Sequence, residues 1–316
     1  MYVGTMKKSI VIAVGILCLS LFILGIVLVA TYKEKNESKF EYDYTKCLKY
    51  DTRSDTFQNL TCAEFRNNSS GYCICFINLT ITEDLYGDVP LTLYYDLSSY
   101  EQPNYSQSNL FYRDENQLLG KISETPAAQC EPYSYLNGIP IYPCGALANF
   151  MFNDTFILKK YGFRDPWPTV SHGMIKEEDK IGYRNPPGDL EKALQNFTKP
   201  PNWMKNVWEL DTTYPDNNGI QNERFIGWMK TNWRRKPFWQ LNDTILPSGR
   251  YFFRVDYNYP QTLYNGPRKI ILSTYRIESN LFKLVMGTIL LIIGLIVLLL
   301  STMVYFKTIK KLREKY

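Results

Sequence analysis

Two uncharged apolar runs of 23 residues, Ser9 to Thr31 and Leu284 to Phe306, constrain this chain more than any other feature of its sequence. A helix rises about 1.5 Å per residue, so each run is long enough to cross a hydrocarbon layer of about 30 Å. Both are expected to span. The predicted division is a cytosolic tail 1–8, a transmembrane helix 9–31, a lumenal or extracellular body 32–283, a second transmembrane helix 284–306 and a basic cytosolic tail 307–316. A cleaved leader is the alternative for the first run, but its apolar stretch is too long and no small-x-small site closes it at Leu28-Val29-Ala30.

Charge orients the chain. Lys7, Lys8, Lys307, Lys310, Lys311, Arg313 and Lys315, against Glu314, put +6 on the two tails, whereas 32–283 holds 29 basic and 30 acidic residues. Positive flanks stay on the cytosolic side, so both termini are expected there. The chain's net +5 therefore reports topology and is no argument for a nucleic-acid partner.

Six of the seven cysteines, at 47, 62, 73, 75, 130 and 144, lie between the runs, which fits an oxidising compartment. Cys18, inside the first run, is expected to be unpaired. Nine N-x-Ser/Thr sequons share the region: Asn36, Asn59, Asn67, Asn68, Asn78, Asn104, Asn153, Asn196 and Asn242. Asn36 is too close to the membrane for use, and neighbouring Asn67 and Asn68 are not expected to be modified together. The other sequons are glycosylation candidates.

The body of about 250 residues is long enough to bury its own core. Its pattern is mainly β. Tyr251, Phe253, Val255, Tyr257 and Tyr259 alternate with Arg250, Arg254, Asp256 and Asn258, the period-two signature of a half-buried strand. From Cys73 to Ile81 the same parity puts both cysteines on the inner face and Asn78 on the outer one, where a glycan would project into water. Val89–Leu97 and Arg268–Ile277 are further strand candidates. Ile220–Trp233 is predicted as a short helix with Phe225, Trp228 and Met229 inward. The stretches 98–150 and 160–215 read as irregular, giving an antiparallel β-sandwich with long, partly helical insertions.

Cys73 and Cys75 are about 7 Å apart on one strand face, beyond comfortable disulfide reach. Each must find a partner elsewhere. Cys47 and Cys62 are the nearest, which leaves Cys130 with Cys144; of the 15 pairings six cysteines allow, the nested Cys47–Cys75 and Cys62–Cys73 is favoured. A zinc site is disfavoured, because Cys73-x-Cys75 lacks ligand spacing and the single histidine, His172, is remote.

Catalytic signatures are missing: there is no phosphate-cradling G-x-x-x-x-G-K-[ST] loop, no G-x-S-x-G elbow and no H-E-x-x-H. His172 is read as a loop residue. Asp216-Asn217-Asn218-Gly219 has a calcium-loop flavour, but placing Gly219 at position six puts Tyr214 and Phe225 at the first and twelfth positions. A turn is the better reading. No cofactor and no metal are expected.

Several strings resemble the accessory β-subunit family of phospholipid-flipping type IV P-type ATPases, the cell-division-cycle-fifty or ligand-effect-modulator-three family. They are Cys130-Glu131-Pro132-Tyr133, Pro143-Cys144-Gly145-Ala146, Ala148-Asn149, Met151-Phe152-Asn153-Asp154-Thr155, Arg184-Asn185-Pro186-Pro187-Gly188 and Pro201-Asn202-Trp203. Pro215 to Gly219, Trp228-Met229, Leu246-Pro247-Ser248-Gly249-Arg250-Tyr251, Tyr257-Asn258-Tyr259-Pro260 and Ile271-Leu272-Ser273-Thr274 continue the series in order.

The resemblance implies a two-span glycoprotein that is no enzyme itself. It would form a heterodimer with a catalytic P-type ATPase, let it leave the endoplasmic reticulum and support phospholipid translocation at Golgi, endosomal or plasma membranes. It also implies the nested pairing and a Cys130–Cys144 bridge. Two departures stand out: only eight residues precede the first run, where the family has a longer tail, and the basic stretch Trp233-Arg234-Arg235-Lys236 is short.

The 25 tyrosines and six tryptophans suit both a core and an interface. Gly287, Gly294 and Ser301 recur every seven residues on one face of the second run, a candidate contact with the partner in the membrane. A two-span ligand-gated channel subunit and a receptor or adhesion glycoprotein are the rival classes. A pore-lining helix would display polar rings, and these runs hold no ionisable residue.

Overall fold

A computed structural model describes residues 2–69, 71–97 and 113–313. They form two units, one covering Glu37–Thr274 and the other made of the two chain ends, up to Asn36 and from Tyr275.

The middle of the chain is mainly β, built on two five-stranded sheets whose described pairings are antiparallel. The first runs Lys33–Asp43, Lys269–Ser279, Thr92–Asp96, Arg235–Leu241, Thr169–Val170. The second runs Thr56–Thr61, Leu48–Asp51, Ile74–Ile81, Gly249–Asp256, Thr155–Lys160. Alternation places side chains as expected: Tyr251, Phe253, Val255, Tyr257 and Tyr259 are all buried, as are Cys73, Cys75, Leu79 and Ile81. Aromatic rings close the space between the sheets. Phe156 meets Phe238 edge-on at 4.9 Å, and the Trp239 indole N–H, which must find an acceptor once buried, donates to the Phe156 carbonyl at 2.8 Å.

The predicted Ile220–Trp233 helix is shorter, Glu223–Met229, and follows a 3-10 turn at Gly219–Gln221. Asn222 caps it by accepting from the Phe225 N–H at 3.1 Å. It ends early because the chain must turn into the Arg235–Leu241 strand. Lys236 reaches back to the carbonyls of Trp228 and Lys230, placing an ammonium at the negative end of the helix.

Short elements punctuate the stretches read as irregular, a hairpin among them, and one helix lies outside those stretches. Asn137 and Gly138, at φ +53° and +80°, make a two-residue hairpin between Tyr135–Leu136 and Ile139–Pro140. Thr61 and Glu64 form a reciprocal capping box that starts the helix Cys62–Asn68.

The terminal unit holds two helices, Tyr2–Ala30 and Leu281–Arg313. Among the described residues, Leu281–Lys307 is long and apolar enough to cross a membrane, and Gly15–Ala30 is the described apolar part of the first helix. The helices touch through glycines. A Cβ on Gly25 would come within 2.8 Å of Leu291, and one on Gly287 within 2.8 Å of Val29 and 3.0 Å of the Gly25 carbonyl. Gly294 abuts the Phe22 ring.

Candidate functional site: the motif-bearing loops

The strings that carry the family resemblance are tied to one another in space. Directly after Cys144, the one-turn helix Ala146–Asn149 offers carbonyls without helical partners. The Trp203 indole donates to the Ala148 carbonyl at 2.6 Å and the Trp228 indole to that of Leu147 at 2.7 Å. The Asn149 side chain accepts from the Asn202 N–H at 3.0 Å. Two distant strings thus lock onto the turn that carries a third.

A second knot joins Arg184–Gly188 to Pro215–Gly219. Gly219 takes φ +69°, a left-handed conformation, and a Cβ there would overlap the Asn185 side chain. That side chain accepts from the Ile220 N–H at 2.8 Å and donates to the Asn218 carbonyl at 2.9 Å. Asn217 donates to the Asp211 carboxylate at 2.7 Å. Burial pushes the Asp211 carboxyl up, but donors on Ser171, Asn217 and the backbone outweigh it and hold the group below its ordinary value. Asn217 and Asn218 spend their side chains on protein groups, as a turn requires. Glu223, 2% exposed, accepts three successive N–H groups, from Gly173, Met174 and Ile175 at 2.8, 2.6 and 3.0 Å, and pairs with Lys180 at 2.8 Å.

The deepest polar cluster centres on Asp154 and Arg268, both with side chains shut off from solvent and 2.9 Å apart. Asp154 also accepts from the N–H groups of Asn258 and Tyr259, each at 2.6 Å, and from the Tyr44 hydroxyl at 2.9 Å. Arg268 donates to the carbonyls of Tyr259 and Tyr264, both at 3.0 Å, and stacks 4.2 Å from the Tyr257 ring. Burial first, then the neighbouring Asp154 charge, drives the Tyr44 hydroxyl well above its usual range.

Between these knots opens a groove of ≈ 220 Å³, whose lining includes Met151, Asn153, Asn202, Trp203, Met204, Lys205 and Arg224. The charged groups of its lining are two cations, Lys205 and Arg224. Amides, thioethers, the Thr155 and Ser171 hydroxyls and apolar groups including the Trp203 indole fill the rest, chemistry suited to recognition. His172 lies outside it, edge-on to Tyr214 at 4.2 Å.

The cysteines are bonded as Cys47–Cys75, Cys62–Cys73 and Cys130–Cys144, with Cα separations of 5.9, 5.5 and 5.5 Å. Cys18 is free. The sulfurs of Cys47, Cys62 and Cys75 lie within 4.8 Å of one another, the spacing of a metal cluster, but two disulfides already consume them. Asn36, Asn59, Asn67, Asn68, Asn78, Asn196 and Asn242 are exposed, Asn153 is half-buried in the groove wall, and Asn104 lies outside the described residues. Gly287 and Gly294 face the first helix, which occupies the surface that the spacing assigned to a partner. Ser301 is half-buried and donates to the Val297 carbonyl at 2.7 Å. Glycine spacing reports close approach without saying which helix approaches.

Sequence reasoning missed Glu223, Arg268 and Lys236. The N–H groups that Glu223 accepts from are 48 to 50 positions away and the carboxylate that Arg268 pairs with is 114 away, and no local pattern marks them. The capping box at Thr61-Cys62-Ala63-Glu64 and the Asn137-Gly138 pair were readable signals for the helix and hairpin.

The model of the LEM3 (ligand-effect modulator 3) family / CDC50 family matches residues 12–314. The chain is 35% identical to Cell cycle control protein 50A of Bos taurus over 287 residues, covering 84% of this chain and 75% of the relative. It is 34% identical to Cell cycle control protein 50C of Mus musculus over 285 residues, with 84% and 77% covered. A relative from Saccharomyces cerevisiae named Phospholipid-transporting ATPase accessory subunit CRF1 is 32% identical over 198 residues, 58% of this chain and 47% of the relative.

Proposed function

This chain belongs to the LEM3/CDC50 family, and from that premise we propose that it is the accessory subunit of a phospholipid-transporting P-type ATPase. The observation that carries the reading is the family match over 12–314, which takes in most of the first apolar helix, the whole β body and the second apolar helix. The yeast relative's name supplies the partner class. The subunit binds a catalytic ATPase one to one, stabilises it for exit from the endoplasmic reticulum and supports lipid translocation, adding no catalytic group of its own. The cationic, amide-rich groove offers recognition chemistry for such a partner.

The topology we propose has helices at 9–31 and 284–306 spanning, both tails in the cytosol and 32–283 in the lumen or outside the cell. Basic flanks and seven exposed sequons support it. Three disulfides fit the same oxidising side. The test is purification of the tagged full chain from its own cells in mild detergent. A stoichiometric subunit of roughly a thousand residues carrying an Asp-Lys-Thr-Gly phosphorylation motif is expected; a homotrimer free of any ATPase would refute the assignment in favour of a channel.

A further inference from the structure

The outer face of the second sheet carries a line of aromatic rings that the alternation pattern does not call for. In strand order they are Phe57, Tyr50, Phe76, Phe252 and, one residue past the last strand, Tyr161. Successive ring centroids are 5.3, 4.8, 5.6 and 5.1 Å apart, so the stripe is continuous. Phe57 is 56% and Tyr161 43% exposed. An unbroken aromatic stripe crossing a whole sheet is the kind of surface that normally has a cover.

The sequence supplies a cover at the stripe's centre. Asn78 begins the sequon Asn78-Leu79-Thr80 and pairs in register with Phe252. Phe76, two residues before it, shares its strand face. The Tyr161 hydroxyl donates to the Asn78 side-chain oxygen at 2.8 Å, which holds the amide down at the surface with its nitrogen, the atom that carries a sugar, turned away from Tyr161. The same arrangement repeats at the edge strand, where Phe57 precedes the exposed sequon Asn59-Leu60-Thr61 by two residues.

We propose that Asn78 is N-glycosylated and that its first N-acetylglucosamine units lie along the Phe76 and Phe252 rings instead of projecting into water. One face of a pyranose presents weakly positive C–H groups, which complement the negative face of an aromatic ring, while its hydroxyls stay hydrated on the outside. The N-acetyl methyl adds apolar contact. The glycan thus serves as an outer layer of the sheet. The inference rests on the lumenal placement of the body, which glycans at any other sequon establish independently.

The test uses the full chain purified with its partner. Glycopeptide mass spectrometry is expected to find Asn78 occupied. Asn78→Gln and Thr80→Ala, two routes to losing the sugar, should each lower the melting midpoint by about 2 to 4 °C, the shift that about 1 kcal/mol produces in a body of this size. In a Phe252→Ala background the same losses should fall below about 1 °C. If that background does not fold, Phe76→Ser takes its place, and in the native protein trimming to one N-acetylglucosamine should preserve most of the stability that full removal loses. An empty Asn78 beside occupied neighbours overturns the proposal, as does an equal loss with and without the rings. Release of the ATPase by Phe252→Ala while the Asn78 glycan remains would also overturn it, assigning the stripe to a protein. Glycans at no sequon would instead refute the lumenal topology.

Discussion

Replacing Asp154 with alanine is the sharpest test of what holds the β body together. The change strands a guanidinium that has no access to solvent, and breaking one side of such a buried pair costs about 3 to 5 kcal/mol. It also deprives the N–H groups of Asn258 and Tyr259 and the Tyr44 hydroxyl of their acceptor. These losses share one site and do not add, so about 4 kcal/mol is the expected total. In a body of this size each kcal/mol moves the midpoint by about 2 to 4 °C, giving a fall of about 8 to 16 °C. The assay is thermal melting of the full chain in mild detergent, followed by near-ultraviolet circular dichroism. Adding Arg268→Met removes the stranded charge and should recover at least half of the loss. A single variant melting within 2 °C of the native chain, or a double variant as unstable as the two singles summed, would refute the reasoning.

Three further outcomes are expected. Burial pulls the Lys236 ammonium down to about 7, whereas an unfolded chain holds that proton up to the ordinary 10.5. Between those values the unfolded state binds more protons, so the native chain should gain about 3 kcal/mol on Lys236→Met as pH rises from 7 to 9.5, and melting at both pH values checks the sign. Gly25→Cys with Gly287→Cys should cross-link within one chain under mild oxidation, since the two backbones meet there; linkage to the ATPase instead would return that face to the partner. Cys144→Ser opens a disulfide loop with a sequence separation of 14 and should cost on the order of 3 kcal/mol, retaining the chain and its ATPase in the endoplasmic reticulum; normal delivery, seen by surface labelling, would contradict this.

What the sequence disclosed follows from how far each signal reaches. Alternation over Tyr251 to Tyr259 located a strand because the period is local, although the strand ends at Asp256 and only the burial of Tyr257 and Tyr259 continues the pattern, and the parity of Cys73 and Cys75 excluded their own bond for the same reason. Phe252 broke the polar face of the first pattern without changing its strand assignment, and its meaning emerged only when Phe76 and Asn78 came beside it. Asp154 read as part of a familiar string, yet its partner Arg268 is 114 positions away. Gly287 and Gly294 announced a close neighbour and left its identity open. The groove is of the same kind: its walls come from five separated segments, and nothing in any one of them marks a cavity.

The first sheet also sets a schedule. Lys269–Ser279, the last strand to be made, lies second in order, between the first strand of the chain and Thr92–Asp96. Until the ribosome has released that segment, its two neighbours face an empty slot lined with unpaired backbone donors and acceptors. The sheet therefore stays open through most of synthesis and closes only when the chain is nearly finished. A product stopped before residue 269 would retain all six disulfide-forming cysteines and every sequon and, in the topology proposed above, would present the lumen's quality control with an open sheet.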